Sequence, residues 1–82
     1  DDVEAQTAQV MKNLEAVLVA AGASFAQVVK STIFLTDLSD FAIVNRVYGS
    51  HFAGAPPARA TVQVAALPRG AKVEIELTAL LA

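Results

Sequence analysis

The residue best suited to binding a small acidic substrate is an arginine that directly follows a stiff proline segment. Arg59 comes after Pro56, Pro57 and Ala58 in the run PPARATVQV. A guanidinium offers a planar set of N–H donors that can hold a carboxylate through two hydrogen bonds. The prolines restrict the backbone ahead of it, which lowers the entropy lost when the side chain is fixed. Arg59 is therefore a candidate carboxylate clamp. The alternative is an exposed arginine at the start of an edge strand, since most arginines are exposed.

Two glutamates alternate along the last strand-like segment, KVEIELTAL. A partly buried carboxylate on a sheet can act as a general acid or base. We expect Glu74 on the same pleat face as Arg59, one strand over, where it would join the same site. The alternative is a cross-strand ion pair of Glu74 with Arg59, or a pair with Lys72 two residues away. Glu76 continues the same face, and we assign it the structural role.

Asn45 and His51 are the remaining polar candidates, and both lie in a helix-like segment. Asn45 follows Phe41 by four residues and precedes Tyr48 by three, which puts it close to the inward stripe of that helix. A buried amide needs hydrogen-bond partners, so Asn45 either fixes a loop or contacts a ligand, unless it lies on the helix surface. His51 is assigned to the negative end of the helix dipole, without a catalytic role.

The composition excludes several other kinds of site. The 82 residues include no cysteine and one histidine, so neither disulfides nor a thiolate or histidine-cluster metal site is expected. Serine-nucleophile and phosphate-binding glycine motifs are absent. Six basic against eight acidic residues lack the basic footprint of nucleic-acid binding. The longest apolar stretch, 16–23, is too short to span a membrane, and no basic leader precedes the first helix. We therefore expect a cytoplasmic protein that binds neither nucleic acid nor membrane.

A long amphipathic helix is the first element predicted to position these residues. Residues 1–21 carry an apolar stripe at three- and four-residue steps: Val3, Thr7, Val10, Leu14, Val17, Leu18 and Ala21. Acidic residues at 1, 2 and 4 suit its first turn, where the helix dipole favours negative charge. Gly22 stands where a left-handed C-terminal cap would lie.

A strand and a second helix follow. Residues 28–36 are rich in β-branched and aromatic side chains, which is typical of a strand. The second helix is predicted from about Asp40 to Phe52, with Ser39 or Asp40 as its cap and prolines beyond its end. Its inward stripe comprises Phe41, Val44, Tyr48 and Phe52, broadened by Ile43 and Val47.

Two further strands, 59–64 and 72–80, alternate between polar and apolar residues. An apolar sheet face must be covered, and two amphipathic helices are available to cover it. We therefore expect a single α+β domain, residues 1–82, with both helices on one face of the sheet. The other face is expected to carry Arg59, Thr61, Glu74 and Glu76, together with Phe34 and Leu80. Such a mixed face is either solvated or meets another subunit, and three strands leave unpaired edges, so we expect a homo-oligomer.

Two segments resemble the Rid/YjgF family. The run PARATVQVAALPRGAKVEIE, residues 57–76, resembles its signature segment, with Pro-Ala-Arg, a strand, a Leu-Pro turn and a closing Val-Glu-Ile. Upstream, EAQTAQVMKNLEAVLVAAGASFAQVVKSTIFLTDLSDFAIVNRVY resembles the family's first helix, the following strand and the second helix. The similarity extends over all 82 residues.

The resemblance implies a fold, an assembly and an activity. The fold is chorismate-mutase-like, and the assembly is a homotrimer with sites at its three subunit interfaces. The activity is the hydrolysis of reactive 2-imino acids, or their enamine tautomers, to 2-oxo acids and ammonia, with no metal or organic cofactor. The family's carboxylate-binding arginine falls on Arg59, and the acid that holds or activates water falls on Glu74. Its site asparagine falls on Asn45, and Thr61 matches a position whose backbone helps to bind the ligand.

This sequence departs from the family in what precedes the first helix. The family has N-terminal strands there, including a Gly-Pro-Tyr-type segment and a Ser-Gly-Gln-type strand that help to wall the pocket. The sequence begins with Asp1-Asp2 instead, which predicts a processed or incomplete chain. Tyr48 does not replace the family's site tyrosine, because it aligns with a different position. Two alternatives stay open: a Rid-fold ligand-binding or regulatory protein without deaminase activity, and a structural module that forms one part of a split protein.

Overall fold

The computed structural model describes residues 2–54 and 56–81. Its helices and strands follow in the order α1 (Val3–Ala20), β1 (Val28–Leu35), α2 (Phe41–Gly49), β2 (Ala58–Gln63) and β3 (Val73–Ala79). The predicted α+β class and the predicted order of elements are confirmed. Asp1, which the sequence assigned to the first helix, lies outside the described residues. Within them, no helix is both long and apolar enough to cross a membrane.

The three strands form one sheet in the order β2-β1-β3, with β1 in the centre. Strand β2 runs parallel to β1, so α2 is the crossover between them, and β3 runs antiparallel to β1. In this register Ile33 on β1 lies opposite Thr61 on one side and Ile75 on the other. Residues in one row share a face of the sheet, so this register determines which side chains point towards the helices.

The core lies between the two helices and one face of the sheet. Its buried members are Val3, Met11, Ile33, Leu35, Val44, Tyr48, Val73 and Ile75. The predicted stripe of α1 is partly wrong: Met11 is fully buried, whereas Val17 is 65% exposed. Val3, Thr7, Met11 and Leu18 form the buried line along α1, and Val17 points to its flank. The predicted inward face of β3 is confirmed.

The helix ends follow local hydrogen bonding. The Asp2 carboxylate accepts the Ala5 N–H at 2.7 Å and caps α1. At its other end Gly22 has φ +79°, and the Ala23 N–H donates to the Leu18 carbonyl at 2.8 Å, as in a Schellman motif. The predicted left-handed cap is confirmed.

The predicted start of α2 is confirmed, with Asp40 at the N-cap position, but its predicted end is wrong. The helix ends at Gly49, three residues early, because the Phe52 N–H donates to the Gly49 carbonyl at 3.1 Å and closes a tighter turn. Neither Ser39 nor Asp40 caps α2 through its side chain. The Asp37 carboxylate instead accepts the Ser39 N–H at 2.9 Å, which lowers the pKa of Asp37 and orders the short 3₁₀ turn ahead of α2.

The expected orientation of β2 is also wrong. Because β2 pairs in parallel with β1, Arg59 lies opposite the buried Ser31, and Thr61 lies opposite the buried Ile33. Both therefore face the helix side of the sheet. The apolar residues Ala60 and Val62 take the other side.

That second side, the open face, carries Thr32, Phe34, Ala60, Val62, Glu74 and Glu76. The expectation that it would hold Phe34 and both glutamates is confirmed. Leu80, just beyond β3, is 70% exposed. The open face thus combines apolar side chains on β2 and β1 with acidic side chains on β3.

Candidate functional site

A cleft of about 540 Å³ opens between α2 and the start of β2. Asn45 and Arg59 are its polar and charged side chains, and Tyr48 and Phe52 give it aromatic walls. Pro56 and Pro57 form the rim on the segment that leads into β2. We call this the Arg59 cleft. A concave site that combines apolar walls with a few convergent polar groups is the usual form of a small-molecule site.

The guanidinium of Arg59 is held in the cleft by α2. Its central carbon lies 5.2 Å from the ring centroid of Phe41 and 5.6 Å from that of Tyr48, both within cation–π range. Its Nη1 donates a hydrogen bond to the Oδ1 of Asn45. Phe41, Asn45 and Tyr48 recur at four- and three-residue steps, so one face of α2 presents all three to the arginine.

The positive charge of Arg59 is not neutralised by a carboxylate among the residues that the structure describes. The ion pair found there joins Arg46 to Glu4 at 3.3 Å, and both of these side chains are exposed. Asn45 is a neutral partner and occupies one of the five N–H donors of the guanidinium. An exposed arginine with a fixed orientation and unused N–H donors can bind a planar anion such as a carboxylate.

A buried pair of hydroxyl groups lies behind the arginine. The hydroxyl of Tyr48 and the Oγ of Ser31 are 2.5 Å apart, and the two residues are 2% and 1% exposed. Ser31 was not among the candidates predicted from the sequence. The available signal was a polar residue at the first of the alternating inward positions of β1, which continue with Ile33 and Leu35.

Glu74 does not lie in the Arg59 cleft of the same chain. It is exposed on the open face, opposite Phe34 in the register, and β1 separates its strand from β2. Within the described part of the chain it forms no ion pair with Arg59 or Lys72. The expected shared face and the alternative cross-strand ion pair are therefore both wrong. The alternation pattern contains neither the strand order, which puts β1 between β2 and β3, nor the register, which puts Arg59 opposite the inward-facing Ser31.

The other two candidates lie on the helix side. Asn45 accepts a hydrogen bond from Arg59, a contact that was not predicted, while the role of Asn45 towards a ligand stays a prediction. Thr61, two residues after Arg59, is half-buried, and its Oγ1 is buried without a hydrogen-bond partner in the described structure.

His51 lies outside the Arg59 cleft. Its Nδ1 is 3.0 Å from the carbonyl oxygen of Val47, near the end of α2, and its ring lies 5.3 Å from that of Phe25. This position agrees with the predicted interaction at the carbonyl end of the helix.

The fold and the cleft together define a small α+β domain with a cationic cleft beside an edge strand. A family model described as "Endoribonuclease L-PSP" matches residues 1–81. "Protein DfrA" of Myxococcus xanthus is 68% identical over 95% of this chain and 60% of its own length. The "2-iminobutanoate/2-iminopropanoate deaminase" of Mus musculus is 55% identical over 87% of this chain and 53% of its own length.

Structural similarity agrees with these matches. The crystal structure of Escherichia coli TdcF with bound serine superposes with a TM-score of 0.91 at 43% identity, covering 100% of this chain and 67% of that one. The chain belongs to the Rid/YjgF family. It spans 60% of the Myxococcus relative and 53% of the mouse relative.

Proposed function

We propose that this protein hydrolyses reactive 2-imino acids, or their enamine tautomers, to 2-oxo acids and ammonia. The observation that carries the proposal is the Arg59 guanidinium, held by Phe41, Tyr48 and Asn45 at a cleft and without a carboxylate partner in the described chain. The name of the mouse relative specifies this substrate class, and the TdcF structure contains serine, an amino acid with a free carboxylate.

The chemistry requires little beyond positioning. The substrate carboxylate binds Arg59, which leaves the C=N carbon exposed in the cleft to an attacking water. Water adds to that carbon, and one of its protons moves to the nitrogen to give a carbinolamine. The remaining hydroxyl proton then also moves to the nitrogen as the C–N bond breaks, which releases ammonia and leaves a C=O group. Because imines hydrolyse readily without a catalyst, a fixed carboxylate and an oriented water supply a large part of the required rate gain.

We propose that Glu74 of a second copy of the chain supplies the acid that orients this water. Within one chain the sheet separates Glu74 from the Arg59 cleft, so a site that uses both residues requires two subunits. The open face supports this arrangement, since it combines the exposed Val62 and the half-buried Phe34 with the glutamates of β3 and suits burial against another copy. A homotrimer with three sites between its subunits satisfies this requirement.

The first test replaces Arg59 in the full-length protein. We expect Arg59→Ala to lower kcat/KM by about 30-fold or more, because a charge-assisted pair of hydrogen bonds is lost. Arg59→Lys should restore little, because an ammonium lacks the planar set of donors. The measurement is 2-oxo acid release from imines generated in situ by an amino acid oxidase.

Arg46→Ala is the matched control, because Arg46 is also an exposed arginine but forms an ion pair with Glu4. We expect it to retain normal turnover. Near-normal rates in Arg59→Ala would show that Arg59 is not part of the site and would contradict the proposed function.

The second candidate function is a ligand-binding or regulatory protein without deaminase activity. It uses the same cleft and the same carboxylate contact, so binding alone does not separate the two. Carboxylate binding that depends on Arg59, together with an absence of catalysed imine hydrolysis, would favour this second function. The net charge of −2 and the single arginine at the cleft do not favour an RNA substrate.

A further inference from the structure

The orientation of Arg59 depends on a ring whose own position is fixed from behind. Tyr48 contacts the guanidinium with its ring and the Oγ of Ser31 with its hydroxyl. In the parallel register Ser31 lies directly opposite Arg59 and on the same face of the sheet. The three side chains therefore form a short chain of contacts, from the centre of the sheet through α2 to the edge strand.

We infer that Ser31 and Tyr48 are positioning residues for Arg59, and that their buried hydrogen bond fixes the plane in which the arginine presents its donors to a substrate carboxylate. This inference rests on the proposed function, because it assigns a task to the same site. It adds a residue, Ser31, that does not line the Arg59 cleft.

Packing alone does not require this hydroxyl pair. Ser31 occupies an inward position on β1 in line with Ile33 and Leu35, where an apolar side chain would serve a hydrophobic core. A buried hydroxyl costs free energy unless it is hydrogen-bonded, and replacing both partners of such a bond by apolar groups is often nearly neutral. The bond does constrain the Tyr48 ring, which also contacts Phe52 at a centroid distance of 4.8 Å.

A fixed ring matters to the arginine because two-point binding of a carboxylate requires the guanidinium and the carboxylate to be coplanar. Asn45 restrains the guanidinium at one nitrogen, which leaves rotation about that contact open. The rings of Tyr48 and Phe41 limit this rotation. Without the Ser31 hydroxyl the Tyr48 ring can tilt, and more orientational freedom must then be lost on binding.

The test removes either partner of the hydrogen bond between Ser31 and Tyr48, with the variants Ser31→Ala and Tyr48→Phe of the full-length protein. The probes are 2-oxobutanoate and its amide, which have the same carbon skeleton but differ in the charged, two-oxygen carboxylate. We expect the dissociation constant for the acid to rise about three- to tenfold, the net worth of one hydrogen bond, with a smaller change for the amide. KM should rise by a similar factor, with kcat nearly unchanged.

Three further variants separate positioning from general destabilisation. Thr7→Val is the matched control, because the Thr7 hydroxyl is also buried, donating to the Val3 carbonyl at 2.7 Å, but lies on α1 away from Arg59. It should leave the ratio of acid to amide affinity unchanged. Ser31→Thr retains the hydroxyl and should restore most of that ratio. In an Arg59→Ala background, Ser31→Ala should have no further effect on binding.

Each outcome decides the inference. An acid-to-amide ratio that stays at the wild-type value in folded Ser31→Ala and Tyr48→Phe would overturn it, while loss of binding in Arg59→Ala would leave the proposed function intact. Carboxylate binding that survives Arg59→Ala would overturn both. The expected ratios without catalysed imine hydrolysis would support the positioning role and overturn the deaminase function.

Discussion

At the scale of single residues, Arg59 combines a fixed orientation with a charge that the described chain does not neutralise. Its partners are two aromatic rings and one amide, so a substrate anion has no resident carboxylate to displace. The sequence was sufficient to propose Arg59 and Asn45 as candidates, because residue type and helical spacing are local properties, and the structure places both at one cleft. It was insufficient to relate Arg59 to Glu74. Alternation along a strand separates two faces but does not state which face turns towards the helices.

The roles of the two glutamates on β3 can be separated by neutral substitutions. Glu74→Gln retains the size of the side chain and a hydrogen-bonding oxygen but removes the ability to exchange a proton. We expect kcat to fall by about 10²-fold or more, with KM nearly unchanged because the Arg59 contact remains. Steady-state kinetics of 2-oxo acid release measures both parameters.

Glu76→Gln is the matched control, two residues along the same exposed face. It should retain turnover and change the free energy of unfolding by no more than about 1 kcal/mol. Loss of turnover in Glu76→Gln combined with normal turnover in Glu74→Gln would show that the acid had been assigned to the wrong residue.

At the scale of elements, local signals predicted the helices and strands well and their ends less well. Gly22 marked the end of α1 because a left-handed backbone favours glycine, and its φ is +79°. The end of α2 was misjudged because the prolines were taken as the stop. The chain leaves the helix earlier, where the Ser50 hydroxyl donates to the Val47 carbonyl at 2.7 Å and a tighter turn follows.

Alanine substitutions of two glycines at helix ends are expected to change the free energy of unfolding in opposite directions. Gly22→Ala should lower the free energy of unfolding by about 1 kcal/mol, because an L side chain is strained at positive φ. Gly49→Ala should be neutral or stabilising by up to about 1 kcal/mol, since Gly49 is helical and an added methyl group would meet nothing within 4 Å. Urea unfolding of both variants measures the difference. Equal effects at the two positions would contradict the assigned cap.

At the scale of the whole molecule, the open face and the edge strands are the features that a single chain leaves unexplained. Both β2 and β3 are edge strands in the described structure, and the open face exposes Val62 on β2 and the carboxylates of Glu74 and Glu76 on β3. The sequence predicted an oligomer from the same mixed face, although it assigned Arg59 to the wrong side. Arg59 lies on the helix side and Glu74 on the open face, so a site that uses both residues requires more than one subunit. The hypothesis of a shared site therefore includes the hypothesis of an oligomer.

Complementation between two inactive variants tests this hypothesis directly. Arg59→Ala and Glu74→Gln are co-expressed with different tags, and mixed trimers that carry both tags are purified and assayed. If each site takes Arg59 from one subunit and Glu74 from the next, the purified mixed trimers regain about a third of the wild-type sites, because exactly one of the three interfaces in each such trimer combines an intact Arg59 with an intact Glu74. If one chain supplies both residues, no mixed trimer contains an intact site.

The control is a co-expression of Arg59→Ala with an Arg59→Ala, Glu74→Gln double variant, which has no intact Arg59 and should stay inactive under either arrangement. Mixed trimers that remain as inactive as this control would show that the site does not combine Arg59 and Glu74 from neighbouring subunits.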